Sequence, residues 1–272
     1  NIQVEKLINN IKKILGESCL ILIDQEGGRV QRLKYPNCPN YPAINIFGKI
    51  AEESMQDAQR ATYLNYLLLG NDLLKVGINV NCAPCLDLES QNTHSVIGNR
   101  SFSSNPIIVS LLGESACNGL LDSGVLPIIK HIPGHGRASS DSHLSLPIIL
   151  DKIEFLEKND FLPFKNLSRM PLAMTAHILY KELDNKWPIT QSKLANNYIR
   201  NILNYEGILV SDDIEMSALS GSINDKVKSI YNAGCDIILH CSGKIDTTKQ
   251  ALVSSKKINK TLSKKLELCL IQ

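Results

Sequence analysis

Six short apolar runs recur along the chain, at residues 19–23, 78–82, 125–129, 172–175, 207–210 and 236–239. Apart from 78–82, where Asn79 and Asn81 alternate with the apolar residues, they lack polar alternation, and such runs suit strands buried on both faces, as in parallel sheets. Helical periodicity lies between them. Val4, Leu7, Ile8, Ile11, Ile14 and Leu15 follow the spacing of one helix face and stop at Gly16, a natural C-cap. Ala58, Ala61, Leu64, Leu67 and Leu68 repeat that spacing, residues 194–203 follow it less cleanly, and the Lys-rich stretch 246–269 reads as a last amphipathic helix. Alternating strands and helices predict βαβ units. Each run is also followed closely by a side chain capable of chemistry: Asp24, Asp87, Lys130 with His131, His177, Asp212 and His240. Reactive groups delivered from many strand ends belong to a TIM-type (β/α)8 barrel. A doubly wound sheet would gather them at one switch point. The six runs fall two short of the eight strands of a closed barrel.

Composition narrows the function classes. The 272 residues carry 29 basic and 27 acidic side chains, a net charge of +2 that gives no footprint for nucleic acid. At 43% hydrophobic the chain has ample material for a core, and no apolar stretch is long enough to span a membrane. A single domain over residues 1–272 is expected. The eight cysteines mostly sit inside apolar runs, which predicts free thiols in a reducing, cytoplasmic setting. Cys82 and Cys85 have redox-motif spacing, but they close a strand where a redox pair opens a helix, so two strand-end thiols are the better reading.

Four segments carry candidate chemistry. In Asp24-Gln25-Glu26-Gly27-Gly28-Arg29-Val30-Gln31-Arg32, two glycines permit a tight turn, and Asp24 and Arg32 suit charge-assisted hydrogen bonds to sugar hydroxyls. The segment Lys130-His131-Ile132-Pro133-Gly134-His135-Gly136, with Asp141-Ser142-His143 beyond it, admits two readings. In one, Lys130 and His131 bind substrate while Asp141 orients His143 for proton transfer. In the other, His131, His135, Asp141 and His143 hold zinc, as in a zinc-dependent amidohydrolase-like barrel. Asp212, leaving a buried strand, is placed to act as a nucleophile or a metal ligand, and Arg100 lies in a Gly- and Ser-containing loop that reaches the barrel mouth or a surface acid.

Together the segments DQEGGRVQR, APCLDL, VIGNRSF, KHIPGHG with DSH after it, MTAH, SDDIEMSA and AGCDIIL resemble glycoside hydrolase family 3, in particular its bacterial single-domain β-N-acetylglucosaminidases. The resemblance implies Asp212 as nucleophile, His143 as general acid/base and Asp141 as the carboxylate orienting it. It also implies Asp24, Arg32, Arg100, Lys130 and His131 as ligands of N-acetylglucosamine, a lesser role for His177 near the pocket, and neither metal nor cofactor. It implies a monomer that removes terminal N-acetylglucosamine from peptidoglycan-derived muropeptides. The departures are Cys85, where the family usually has Val, and the absence of two strands ahead of DQEGG. An open barrel leaves sheet edges unpaired, so an inactive remnant is the further alternative. Weak activity is expected until roughly 40–60 residues are restored, a figure scaled from the usual barrel size.

Overall fold

The computed structural model describes residues 2–90, 97–138, 141–142 and 144–271, with side chains up to 269. All six apolar runs contribute strands: β1 (Leu22–Ile23), β2 (Val80–Asn81), β3 (Leu126–Ile132), β4 (Leu172–Thr175), β5 (Ile208–Asp213) and β6 (Ile237–Leu239). They form one six-stranded sheet in sequence order, every neighbouring pair parallel. Leu22 lies opposite Val80, Val80 opposite Leu126, and Leu172 opposite Ile208.

Burial on both faces explains the apolar character of the central strands. Val80, Cys82, Leu126, Ile128, Leu172, Met174, Ile208 and Val210 make the inner cluster, completed from the C-terminal helix Lys260–Ile271 by Leu262. The intervening Ile129, Ala173 and Leu209 face outward into a larger cluster against the helices. Cys82 and Cys85 fall in different clusters, one on each side of the sheet, and all eight cysteines are free. No helix among the described residues is long and apolar enough to cross a membrane.

The helices depart from the periodicity in three places. Helix Ile2–Leu15 forms and stops at Gly16 with φ +96°, yet of its apolar stripe only Ile8 is buried, and Ile14 is 82% exposed. Among the described residues no strand lies beyond β1 for this stripe to cover. Helix Met55–Lys75 buries Ala58, Thr62, Tyr66, Leu69, Gly70 and Leu73 and leaves Leu64 and Leu68 outside. The C-terminal stretch is two helices, Ile245–Ser254 and Lys260–Ile271, interrupted where Ser255 turns extended and the Asn259 side chain accepts the Leu262 N–H.

Candidate active site

The C-terminal ends of the strands surround a cavity of about 310 Å³. Beyond β1 the chain passes Asp24 and turns back in a small hairpin, Gln25–Gly27 with Val30–Gln31. Gly27 and Gly28 make that turn with φ +100° and +58°, and a side chain on Gly27 would collide with the Pro42 carbonyl. The hairpin aims two acids inward. Lys130 Nζ, from β3, lies 2.9 Å from Asp24 Oδ1 and 2.6 Å from Glu26 Oε1. Arg100 takes both Glu26 oxygens, through Nε at 2.9 Å and Nη2 at 2.8 Å. Arg32 Nη2 meets Asp24 Oδ2 at 3.3 Å. Charge therefore alternates along a chain, Arg32, Asp24, Lys130, Glu26, Arg100, from an exposed arginine through a fully buried carboxylate to a largely covered arginine.

Burial works against each charge in the interior of this chain, and the neighbours outweigh it. Glu26 is pushed down to about 2 by Lys130 and Arg100 despite complete burial. Lys130 is raised well above the usual lysine range by Glu26 and Asp24 although desolvation pulls the other way. Burial also pushes Asp24 upward, but Lys130 holds it below the ordinary aspartate value. All three are ionised at neutral pH. An ammonium that spends two donors on carboxylates keeps a third for a ligand.

A second network stands behind β3. Asp87, fully buried beyond β2, accepts the His131 ring at 2.6 Å through Oδ2 and the backbone N–H groups of His131 (3.2 Å) and His135 (2.6 Å) through Oδ1. A carboxylate only accepts, so His131 donates from Nδ1, and its Nε2 faces Asp212 Oδ2 at 4.0 Å. Asp87 stays far below the ordinary carboxylate range because His131 outweighs its desolvation. Asp212 is the penultimate residue of β5, and its Oδ1 accepts the Asp213 N–H at 2.8 Å. Burial pushes its pKa up, but His131, His177 and that N–H bring it below the aspartate value, leaving an anion aimed into the cavity.

Asp24, Arg32, Arg100, Lys130, His131 and Asp212 thus share one cavity wall, together with His135, Ser142 and the apolar Met174, Met216 and Leu239. His177 is placed differently. It is fully buried, with Nδ1 at 2.8 Å from Thr190 Oγ1 and Nε2 at 3.1 Å from the Asp213 carbonyl, so it supports the Asp212-Asp213 backbone from behind. Asp141 is half-buried, and its carbonyl accepts the Leu144 and Ser145 N–H groups. His143 lies outside the described residues. Sequence reasoning gave no role to Glu26 or Asp87; Glu26 shares the motif of Asp24, and Asp87 follows a strand, but their partners arrive from elsewhere in the fold.

The zinc set drawn from sequence does not converge among the described residues: His131, His135 and Asp141 do not bring three donor atoms together there, and His143 lies outside them. Cys85, Asp87 and His131 are the set there whose donor atoms lie close enough together for an ion. Those atoms already bond one another, with Cys85 Sγ 3.1 Å from Asp87 Oδ2, and the shared oxygen also takes the imidazole. An ion would have to displace the imidazole proton.

The glycosyl hydrolase family 3 N terminal domain matches residues 2–267. The chain belongs to glycosyl hydrolase family 3. A β-hexosaminidase of Bordetella avium is 32% identical over 245 residues, 88% of this chain and 69% of that protein. NagZ of Neisseria gonorrhoeae in complex with N-trifluoroacetyl-D-glucosamine superposes with a TM-score of 0.90 at 32% identity, covering 98% of this chain and 78% of the other. A family 3 β-N-acetylglucosaminidase of Paenibacillus gives 0.86 at 32% identity, over 99% and 53%. The parallel sheet is accordingly part of a family 3 (β/α)8-type barrel, and the protein is a glycoside hydrolase that acts on a small carbohydrate.

Proposed function

We propose that this glycosidase is a retaining exo-β-N-acetylglucosaminidase that releases terminal N-acetylglucosamine from muropeptides, working as a monomer in the cytoplasm, its 272 residues one catalytic domain. The observation that carries the mechanism is Asp212, a half-buried carboxylate held ionised and turned into a cavity at the lower end of the ~300–1,000 Å³ range of small-ligand pockets. A pocket of that size suits one terminal sugar.

In this reading Asp24, Arg32, Arg100, Lys130 and His131 grip the sugar, with Glu26 holding Lys130 and Arg100 in place. Asp212 attacks the anomeric carbon as the glycosidic oxygen departs with a proton from His143, oriented by Asp141. The glycosyl-aspartate ester is then opened by water, from which His143 removes a proton. An imidazole suits both transfers because its ordinary pKa of about 6.5 lies near the working pH. It also adds no second negative charge beside the nucleophile.

Incubation with a 5-fluoro N-acetylglucosaminyl donor, followed by proteolysis and mass spectrometry, tests this. The adduct is expected on the peptide carrying Asp212. An adduct on another residue, or efficient turnover by Asp212→Ala, would overturn it.

A further inference from the structure

His135 and Ser142 line the cavity but take no part in the chemistry above, and their bonds complete a circuit around it. Ser142 is buried, with its Oγ 3.0 Å from His135 Nε2, and its carbonyl accepts the Ala218 N–H at 3.1 Å. Ala218 follows Asp212 on the loop after β5. On the other side, His135 donates its backbone N–H to Asp87, whose second oxygen holds His131, whose Nε2 faces Asp212. Position 142 is therefore tied twice to the segment that bears the nucleophile, once through the histidine network and once directly.

We propose that His135 is a positioning residue: its bond to Ser142 latches the 141–142 loop against the Asp212 strand end and so sets the register of proton transfer. This rests on the assignment of proton transfer to Asp141 and His143, which flank Ser142. A packing role alone does not explain the imidazole. The ring is 3% exposed and its Nδ1 finds no hydrogen-bond partner among the described residues, a cost that a phenyl or isobutyl group would avoid. Burial and the neighbouring His131 also drive the His135 pKa down to about 4. The ring is neutral at working pH, and the Ser142 hydroxyl is the partner it has retained.

The test compares kcat/KM on 4-nitrophenyl β-N-acetylglucosaminide and on chitobiose for the unaltered chain, Ser142→Ala, His135→Phe, His135→Gln and His143→Ala. This parameter reports bond cleavage up to the glycosyl-enzyme, and a nitrophenolate leaving group needs little protonation. Ser142→Ala and His135→Phe are expected to lose about ten-fold more on chitobiose than on the nitrophenyl substrate, chiefly in kcat. A Ser142→Ala/His135→Phe double variant, measured alongside them, should lose no more than the worse single one, because both substitutions remove the same bond. His135→Gln, whose amide nitrogen reaches the Nε2 position, should restore most of the chitobiose activity. Equal losses on the two substrates in variants that melt like the unaltered chain would overturn the latch. If His143→Ala discriminates between the substrates and Ser142→Ala does not, the latch alone fails. If His143→Ala fails to discriminate, the assignment of proton transfer falls and the latch with it.

Discussion

The rim of the sheet and its two edges are finished to very different degrees. At the rim, Arg32, Asp24, Lys130, Glu26 and Arg100 alternate in sign within hydrogen-bonding distance, and Asp87 gathers four donors. At the edges, Leu22 of β1 and Leu239 of β6 are only partly covered, and helix Ile2–Leu15 turns Leu7, Ile14 and Leu15 to solvent. The rim is drawn from the ends of β1, β2, β3 and β5, and none of its contacts described above crosses from β6 to β1. It is held by contacts between neighbours within the sheet.

The sharpest division between the regions is chemical. Asp212→Asn should lower kcat by on the order of 10⁴-fold on a nitrophenyl substrate while leaving the melting transition near its original position. Next comes Glu26→Gln, which leaves Lys130 and Arg100 buried with one carboxylate fewer. Breaking such a buried set costs about 3–5 kcal/mol, readable by urea unfolding. A loss below ~1 kcal/mol would show that the charge chain is solvated and the contrast with the edges overstated.

Acid titration separates the regions through two groups. His135 has a folded pKa of about 4 against 6.5 when free, so the unfolded chain binds the extra proton first and stability falls as pH drops from 6.5 to about 4, by up to about 3 kcal/mol. Glu26 falls from 4.5 to about 2 on folding, so its contribution is present above pH 4.5 and is lost as pH drops toward 2. Melting temperatures across pH 3–7 should decline in that order, and His135→Gln should flatten the upper stage. The smallest effect compares like with like. Ile128→Val, inside the sheet, should cost about 1 kcal/mol, and Ile14→Val, on the open helix, should stay within ~0.5 kcal/mol of zero. Equal costs would mean that the helix stripe is covered in solution.

The same contrast governs what could be read from sequence. The strands β3, β4 and β5 were the plainest in the sequence because burial on both faces makes each read as nearly continuous apolar residues. Asp24, Lys130, His131 and Asp212 were visible because each stands at a strand end. Helix faces were read less well. Where helix Met55–Lys75 meets helix Pro106–Asp122, a side chain on Gly119 would collide with the Tyr63 carbonyl and one on Gly70 with Ser123. Close approach of two backbones selects small residues, so the buried face ran through Ala58, Thr62 and Gly70 and not through Leu64 and Leu68. Glu26 and Asp87 were given no role for a related reason. Asp87 meets His131 across 44 positions and Glu26 meets Arg100 across 74, and spacing along a chain carries no trace of such pairs.

The central claim is that the ionised Asp212 forms a covalent bond to the sugar, and the configuration of the first product tests it most directly. Proton NMR during early hydrolysis of an aryl β-N-acetylglucosaminide should show β-N-acetylglucosamine appearing first, with the α form growing in only through mutarotation. Initial release of the α anomer would mean direct attack by water, and Asp212 would then be a base rather than a nucleophile.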